Sequence, residues 1–498
     1  MYAKSHIFLA LPVFIGILKS VNRFYTMLSP FLAHLAMDQS ADPRTTIEKL
    51  DGTLTPNMRA LRLTMSISEQ LISMGTPAQS VVHMALKITG VYCTRKVHID
   101  VISSQLILSQ DRGNEQEPLT LIRTVPAREI NYQLMQDLQS LVATIDDNKL
   151  TLDDAERRLD AILAHPHRYP QWVIYAAGGG LSAGSALIYT ASLPIIIASF
   201  FTGFIITWLL TRLYRLALPV FFTQIIAAST ITLIAAGMTW LAAHGYLDIV
   251  GAVNPTIITV SGIVLLLAGM MIVGAFQDAI DEYYVTAAGR LLKVIMTTMG
   301  VISGVMIGLY AARRMDITFV ASPEQLQMTG TMYQYIGAAI IAAAFTLGNH
   351  TKLLGVIITG AVGVLGYDIF LTITNLGLSA IPASAIAGLV IGFIGTLTSR
   401  LQHIPSLAII NAGIVPLVPG VTLYNGLMGV VTSNVADNSL LRAVLIAIAI
   451  AAGASFGTLI GRPTRRSFIR LRNNLPQRPL HVAKTRPRRK LFTPQQPK

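Results

Sequence analysis

The sequence predicts an all-α polytopic membrane protein. About ten transmembrane helices form two inverted five-helix repeats, and a small α+β soluble domain precedes them. Three observations carry this. From Gln171 to Gly461 the chain is a succession of apolar runs of about 20 residues, the length that crosses a bilayer core as helix. Charge is scarce, 13% of residues against about 25% in an ordinary soluble protein, and it lies mostly outside those runs. One apolar segment is also written twice. GIVLLLAG at 262–269 returns as GIVPLVPG at 413–420, with five of eight letters kept at an offset of 151 (413 − 262).

Residues 1–56 are ambiguous. HIFLALPVFIGIL, from His6 to Leu18, is apolar but interrupted by Pro12, too short to span, and followed by no small-x-small cleavage site. A surface-lying segment and a start codon placed too early both fit, and no function is assigned to it. Residues 57–168 are expected to form a cytoplasmic α+β domain. Leu61, Leu63, Ile67, Leu71 and Ile72 have helical spacing, as do Val81, Val82, Met84 and Ala85 after a turn at Gly75–Pro77. KVHIDVISSQLILS and PLTLIRTV alternate as strands do, around the polar turn QDRGNEQE. REINYQLMQDLQSLVATI and TLDDAERRLDAILAH read as amphipathic helices. Thr151 caps the second, with Asp153 and Asp154 in its first turn.

The membrane part divides into spans near 171–190, 193–212, 217–242, 250–276 and 289–311, within a first repeat at 169–315. A second repeat at 332–461 holds spans near 332–348, 352–371, 379–399, 405–428 and 440–461. A basic tail at 462–498 is expected to be disordered. The doubled segment lies on the fourth span of each set. The fifth spans carry matching small-residue ladders, Gly300/Gly304/Gly308 and Gly453/Gly457/Gly461, which let helices approach closely in lipid. An odd number of spans per repeat inverts the second copy relative to the first, a design many secondary transporters share. Charge supports that topology. With the N-terminus inside, Arg212, Arg215, Arg290, Lys293, Lys352, Arg400 and the tail are cytoplasmic, while Arg313, Arg314 and Arg442 run against the bias. The net charge of +13 therefore reflects the positive-inside bias and contact with anionic lipid, and no nucleic-acid partner is expected.

Pro416 and Pro419–Gly420 are expected to break the ninth span, because proline removes a helical hydrogen bond and clashes with the preceding turn. Broken backbone at membrane depth is tolerated where it lines a cavity or is buried in protein. Asn411, Tyr424 and Asn425 flank this break; the first copy has Asn254 at the entry of span four and Gly269 at the matching break, and that span ends at Gln277–Asp278. Two readings compete: these groups bind or gate a substrate, or they re-satisfy a kinked backbone. Asp368, in GYDIF, is placed at the end of span seven. It is an intramembrane site in one reading and an interfacial residue in the other. Thr223 and Gln224 are expected to bond between helices, and GGG at 178–180 to mark close helix packing. The one cysteine, Cys93, cannot pair within the chain, and His165 and His167 read as loop residues. No metal site, cofactor or catalytic constellation is expected, so an enzyme is disfavoured.

These segments resemble the bacterial threonine/serine exporters. SGIVLLLAGMMIVGAFQDAI with VTAAGRLLKVIM is similar to that family's first-half signature, and AGIVPLVPGVTLYNGL to its second. LISMGTPAQSVVHMALKITG, HIDVISSQLIL, RTVPAREINYQLMQDLQSLV and LTLDDAERRLDAI are similar to its N-terminal domain. The likeness spans roughly 57–466. Ala268 departs from it, standing where many first halves carry proline. The resemblance implies export of threonine and serine across the bacterial inner membrane. Protons are the implied coupling ion, both termini are cytoplasmic, and no nucleotide is used. Some relatives are split into two subunits, and one such pair is linked to succinate export, so small dicarboxylates are the alternative substrate. A membrane-anchored enzyme or sensor is a third reading, against which the repeat itself argues. The sequence leaves a homo-oligomer open. The resemblance assigns no binding residues, so the motif positions are candidates only.

Overall fold

The computed structural model describes residues 55–113, 116–126, 128–166, 168–216, 218–244, 255–266, 269–315, 317, 328–398, 404–418, 422, 426 and 438–474. The candidates Asn254, Pro419, Gly420, Tyr424 and Asn425 lie outside the described residues.

The N-terminal part, expected from the sequence to be soluble, begins with two helices, α1 (Pro56–Ser73) and α2 (Ala78–Tyr92). Thr55 caps α1 by accepting the Met58 N–H, and Gly75 (φ +83°) makes the turn between the helices. Strands β1 (Val97–Ile102), β2 (Gln105–Gln110) and β3 (Leu119–Thr124) form an antiparallel meander, with Val97 opposite Gln110 and Gln105 opposite Thr124. Alternation gives the sheet one apolar face. Val101, Leu106 and Leu108 pack against Met65 of α1 and Ala78 of α2, while Ile122 points away and is exposed. Helices α3 (Tyr132–Asp146) and α4 (Leu152–Ala164) follow. Their apolar stripes, at Leu138, Leu141, Ile145 and Leu159, close on Leu63, Ile67 and Val81.

The remaining helices are α5 (Gln171–Tyr189), α6 (Leu193–Arg215), α7 (Val220–Ala243), α8 (Pro255–Leu266), α9 (Gly269–Ile280) and α10 (Tyr284–Arg314). Then come α11 (Thr331–Gly348), α12 (Leu353–Asn375), α13 (Ala380–Thr398), α14 (Ser406–Ile414) and α15 (Ser439–Asn474). Among the described residues, seven helices are long and apolar enough to cross a membrane. The number is eight if α8 and α9, bent by 41° at their junction, are one span. The protein is thus an all-α polytopic membrane protein with a small N-terminal β-sheet region.

Small residues set the helix packing. A Cβ on Gly179 would lie 2.7 Å from the Phe200 carbonyl oxygen of α6. α5 and α11 meet at paired glycines: a Cβ on Gly184 would lie 3.0 Å from the Gly337 oxygen, and one on Gly337 2.8 Å from the Gly184 oxygen. Both ladders lie backbone to backbone on a neighbour. Gly300, Gly304 and Gly308 face the carbonyls of Phe221, Ile225 and Ser229 on α7. Gly453, Gly457 and Gly461 face those of Ala385, Leu389 and Phe393 on α13. In lipid, where apolar burial does not drive association, such contacts supply the packing energy.

Two expectations are corrected. Residues 462–474, expected to be disordered tail, continue α15 as helix to Asn474. The span has already nucleated the helix, and RRSFIRLR is rich in residues that propagate it. Asp368 does not end its span, because α12 runs a further seven residues (375 − 368). The uncharged sequence IFLTITN there offers nothing to stop a helix.

Candidate functional site

Both copies of the doubled segment are interrupted. In the first, α8 stops at Leu266 and α9 starts at Gly269. α8 stays against α5, α6 and α7, whereas α9 turns away to pack on α10 and on α15 of the other half. In the second, α14 ends at Ile414, tightens into a 3-10 turn at Val415–Leu417, and becomes extended at Val418 (φ −60°, ψ 128°). Pro416 sits in that turn. It has no N–H to give the Ala412 carbonyl, so the α-helix cannot pass through it. Val273 and Phe276 of α9 share one apolar cluster with Ile410, Ile414 and Leu417. The interrupted segments of the two halves therefore belong to a common core.

The soluble part holds both segments at one end of the membrane bundle. The Asn411 side-chain Nδ2 donates to the Tyr132 hydroxyl at 3.0 Å. Tyr132 is wholly buried, its own N–H donates to the Asn349 carbonyl at 3.0 Å, and its ring lies 6.4 Å from that of Phe345. Burial pushes its hydroxyl pKa well above the tyrosine range, and the Asn411 bond opposes this only in part. In the other half Asp278 is buried, with Arg290 Nη1 2.7 Å from its Oδ2. The guanidinium is out of line for a hydrogen bond with either carboxylate oxygen, so proximity of charge makes this pair. The Ala78 N–H, at the positive end of α2, also faces the carboxylate. Close by, Thr286 Oγ1 accepts the Ser103 N–H at 3.0 Å, tying α10 to the sheet.

The opposite end has its own cluster. Tyr335 donates to Asp368 Oδ1 at 2.6 Å, and Tyr367 donates to Gln334 Oε1 at 3.1 Å. Gln334 in turn donates to the Thr329 carbonyl at 2.6 Å. The sequence candidates are thus not one constellation. Asn411 and Asp278 lie toward the soluble part, Gln277 is half-buried beside Asp278, and Asp368 lies at the far end. Asp278 already has a cation beside it, so it is not poised to receive a substrate ammonium. Gln224 Oε1 is buried with no hydrogen-bond partner, whereas Thr223 bonds the Val220 carbonyl of its own helix and also the Tyr214 hydroxyl of α6, the interhelical contact expected of it.

Tyr132 and Tyr335 were not singled out in the sequence. Tyr132 lies among apolar residues of an amphipathic helix, and only the rule that a buried tyrosine hydroxyl needs a partner marks it. Arg290 was visible only as one of the charges expected on the cytoplasmic side, without a role.

A multi-span bundle with an interrupted helix in each half is the arrangement many membrane transporters share. The comparisons agree. Residues 62–311 match the family described as "Putative threonine/serine exporter", and residues 334–460 match "Threonine/Serine exporter, ThrE". The chain belongs to the threonine/serine exporter family. It is 26% identical over 417 residues to the "Probable threonine/serine exporter" of Mycobacterium tuberculosis, covering 82% of this chain and 77% of that protein. It is 28% identical over 415 residues to the "Threonine/serine exporter" of Corynebacterium glutamicum, covering 82% and 83%. No solved structure matches the chain. The protein is a transporter and not an enzyme.

Proposed function

We propose that this protein exports threonine and serine from the cytoplasm of a bacterial cell through its inner membrane, driven by the proton motive force. The observation that carries the reading is that both halves match exporter models while each half contributes an interrupted helix to one core. The proposal extends to the architecture: ten spans in two inverted repeats, with both termini cytoplasmic. The packing supports the repeat. α5 on α6, α6 on α7, α6 on α8, α7 on α8, α5 on α8 and α7 on α10 each have a counterpart in the second half. Those are α11 on α12, α12 on α13, α12 on α14, α13 on α14, α11 on α14 and α13 on α15. Two copies of one module would pack this way.

In this reading the substrate passes between the interrupted segments. Freed N–H groups at a helix break suit a carboxylate, and freed carbonyls suit an ammonium. Asn254, Gly269, Pro416, Pro419, Gly420, Tyr424 and Asn425 remain the candidate lining. Asn411 and Asp278 are assigned to the grip of the soluble part.

Efflux of labelled threonine, serine, glycine and succinate from proteoliposomes, with and without a pH gradient, tests this. Threonine and serine are expected to leave faster when the gradient is imposed. Succinate efflux without threonine efflux replaces the substrate assignment, and indifference to the gradient removes proton coupling.

A further inference from the structure

A cavity of about 230 Å³ lies where the soluble part meets the membrane helices, at the start of the second interrupted segment and away from its break. Gln133, Asp137 and Ser140 of α3 line one side, and Thr351, Lys352 and Pro405 line the other. Two helix starts converge there. α12 begins after Lys352 and α14 after Pro405, and neither N-terminus is capped by a side chain. The Ala408 N–H of α14 bonds back to the Pro405 carbonyl, but the N–H groups that start a helix otherwise lack intrahelical partners, and both dipoles turn positive ends toward the cavity, which favours an anion. Lys352 adds a full positive charge. Thr351 Oγ1, in a residue only 4% exposed, has no hydrogen-bond partner, an arrangement that native proteins seldom leave without a purpose. On the α3 side the charge reverses. Asp137 Oδ1 accepts from Gln133 Nε2 at 2.9 Å, and the carboxylate has capacity for further donors.

We propose that this cavity binds a small zwitterionic α-amino acid from the cytoplasmic side. The carboxylate sits at the two helix starts and Lys352, the ammonium at Asp137, and a side-chain hydroxyl, where present, at Thr351 once that side chain turns its buried Oγ1 toward the cavity. A simple anion would be repelled by Asp137, and a simple cation by Lys352 and the helix dipoles. The volume suits a ligand of a few heavy atoms. The choice of amino acids as ligand class rests on the exporter reading. Tyr132 also lines this cavity and bonds Asn411, three residues before the end of α14 (414 − 411). A bound amino acid would clamp α3 to α12 and α14 at the joint that holds the second interrupted segment. The site is therefore a sensor of cytoplasmic amino acid, separate from the transport path.

Hydrogen exchange of the purified full chain in phosphatidylcholine nanodiscs tests the proposal, with glycine, alanine, serine and threonine as probes. Peptides covering 132–140 and 349–356 are expected to gain protection. Asp137→Asn and Lys352→Gln should each raise the half-saturating concentration roughly tenfold or more, the worth of one charge-assisted hydrogen bond. Both variants keep side-chain shape, and thermal melting confirms that they fold. Protection by none of the four amino acids, or unchanged half-saturation in both variants, overturns the site. Protection that appears without amino acid when phosphatidylethanolamine is added assigns the cavity to a lipid headgroup and also overturns it. Threonine efflux from the same preparation keeps the two readings apart. Efflux without protection sinks the cavity alone, and protection without efflux sinks the exporter assignment alone.

Discussion

At the scale of single residues, two buried polar pairs join the soluble part to the membrane helices. Tyr132→Phe removes one hydroxyl and leaves the half-buried Asn411 without that acceptor, at a cost toward the lower end of about 1–3 kcal/mol. Slower threonine efflux with the chain still folded is the expected result, and parental efflux would show that the bond transmits nothing. The raised Tyr132 pKa gives a pH signature. The neutral hydroxyl is the docked form, so its contribution is complete below the ordinary tyrosine value near 10. It is lost as pH climbs through the shifted value. Protease sensitivity of α3 should therefore rise only under strongly alkaline conditions. At the other pair, Arg290→Ala strands a buried carboxylate. A loss toward the lower end of about 3–5 kcal/mol is expected, since Arg290 is 28% exposed. Combining it with Asp278→Asn should recover most of the melting temperature. If the double variant melts no higher than Arg290→Ala alone, the ion pair is not what holds α9 and α10 together.

At the scale of elements, proline placement distinguishes the two copies of one segment. Leu265 lies within α8, while its counterpart Pro416 forces a 3-10 turn. Pro416→Leu should let α14 continue, keep or raise stability, and abolish most efflux, because it closes the backbone groups the break exposes. Full transport by a stable Pro416→Leu protein would deny the interruption any role. The glycine ladders are the complementary case. A methyl at Gly300 would meet the Phe221 oxygen at 2.7 Å, while one at Gly237 would meet nothing within 4 Å. Gly300→Ala should lower the yield of monodisperse protein, and Gly237→Ala should not. These ladders were legible in the sequence because close packing in lipid requires small residues at four-residue spacing. Their partners were not, since α7 and α13 meet the ladders with backbone carbonyls, which any sequence carries, and with side chains such as Ala228, Thr232 and Thr396 that form no ladder of their own.

At the scale of the whole molecule, every contact described between the soluble part and the membrane bundle falls at one end. They reach Asp278, Thr286, Asn349 and Asn411. The inverted topology proposed above would put all of these on the cytoplasmic side. A reporter fused after Lys498 should therefore read cytoplasmic and one after Asn434 external, and the reverse pair of readings would undo the topology. The helical extents agree closely with the apolar runs, as at Thr331–Gly348 against 332–348. The ends of α12 and α15 were misjudged because charge near a span marks the membrane boundary, whereas the helix itself stops only where backbone chemistry stops it.

The sequence by itself determined the membrane class, the N-terminal helix-and-strand region, the doubling of an apolar segment and the family. Each of these is written in composition, period or motif, which are local properties of the chain. Only the tertiary structure decided that Asn411 meets Tyr132, 279 residues away, and that Asp278 has a cation beside it. It also decided that two helix starts and an aspartate share one cavity. Those facts depend on which polar groups packing brings together, and a buried hydrogen bond leaves no periodic trace in the chain that makes it.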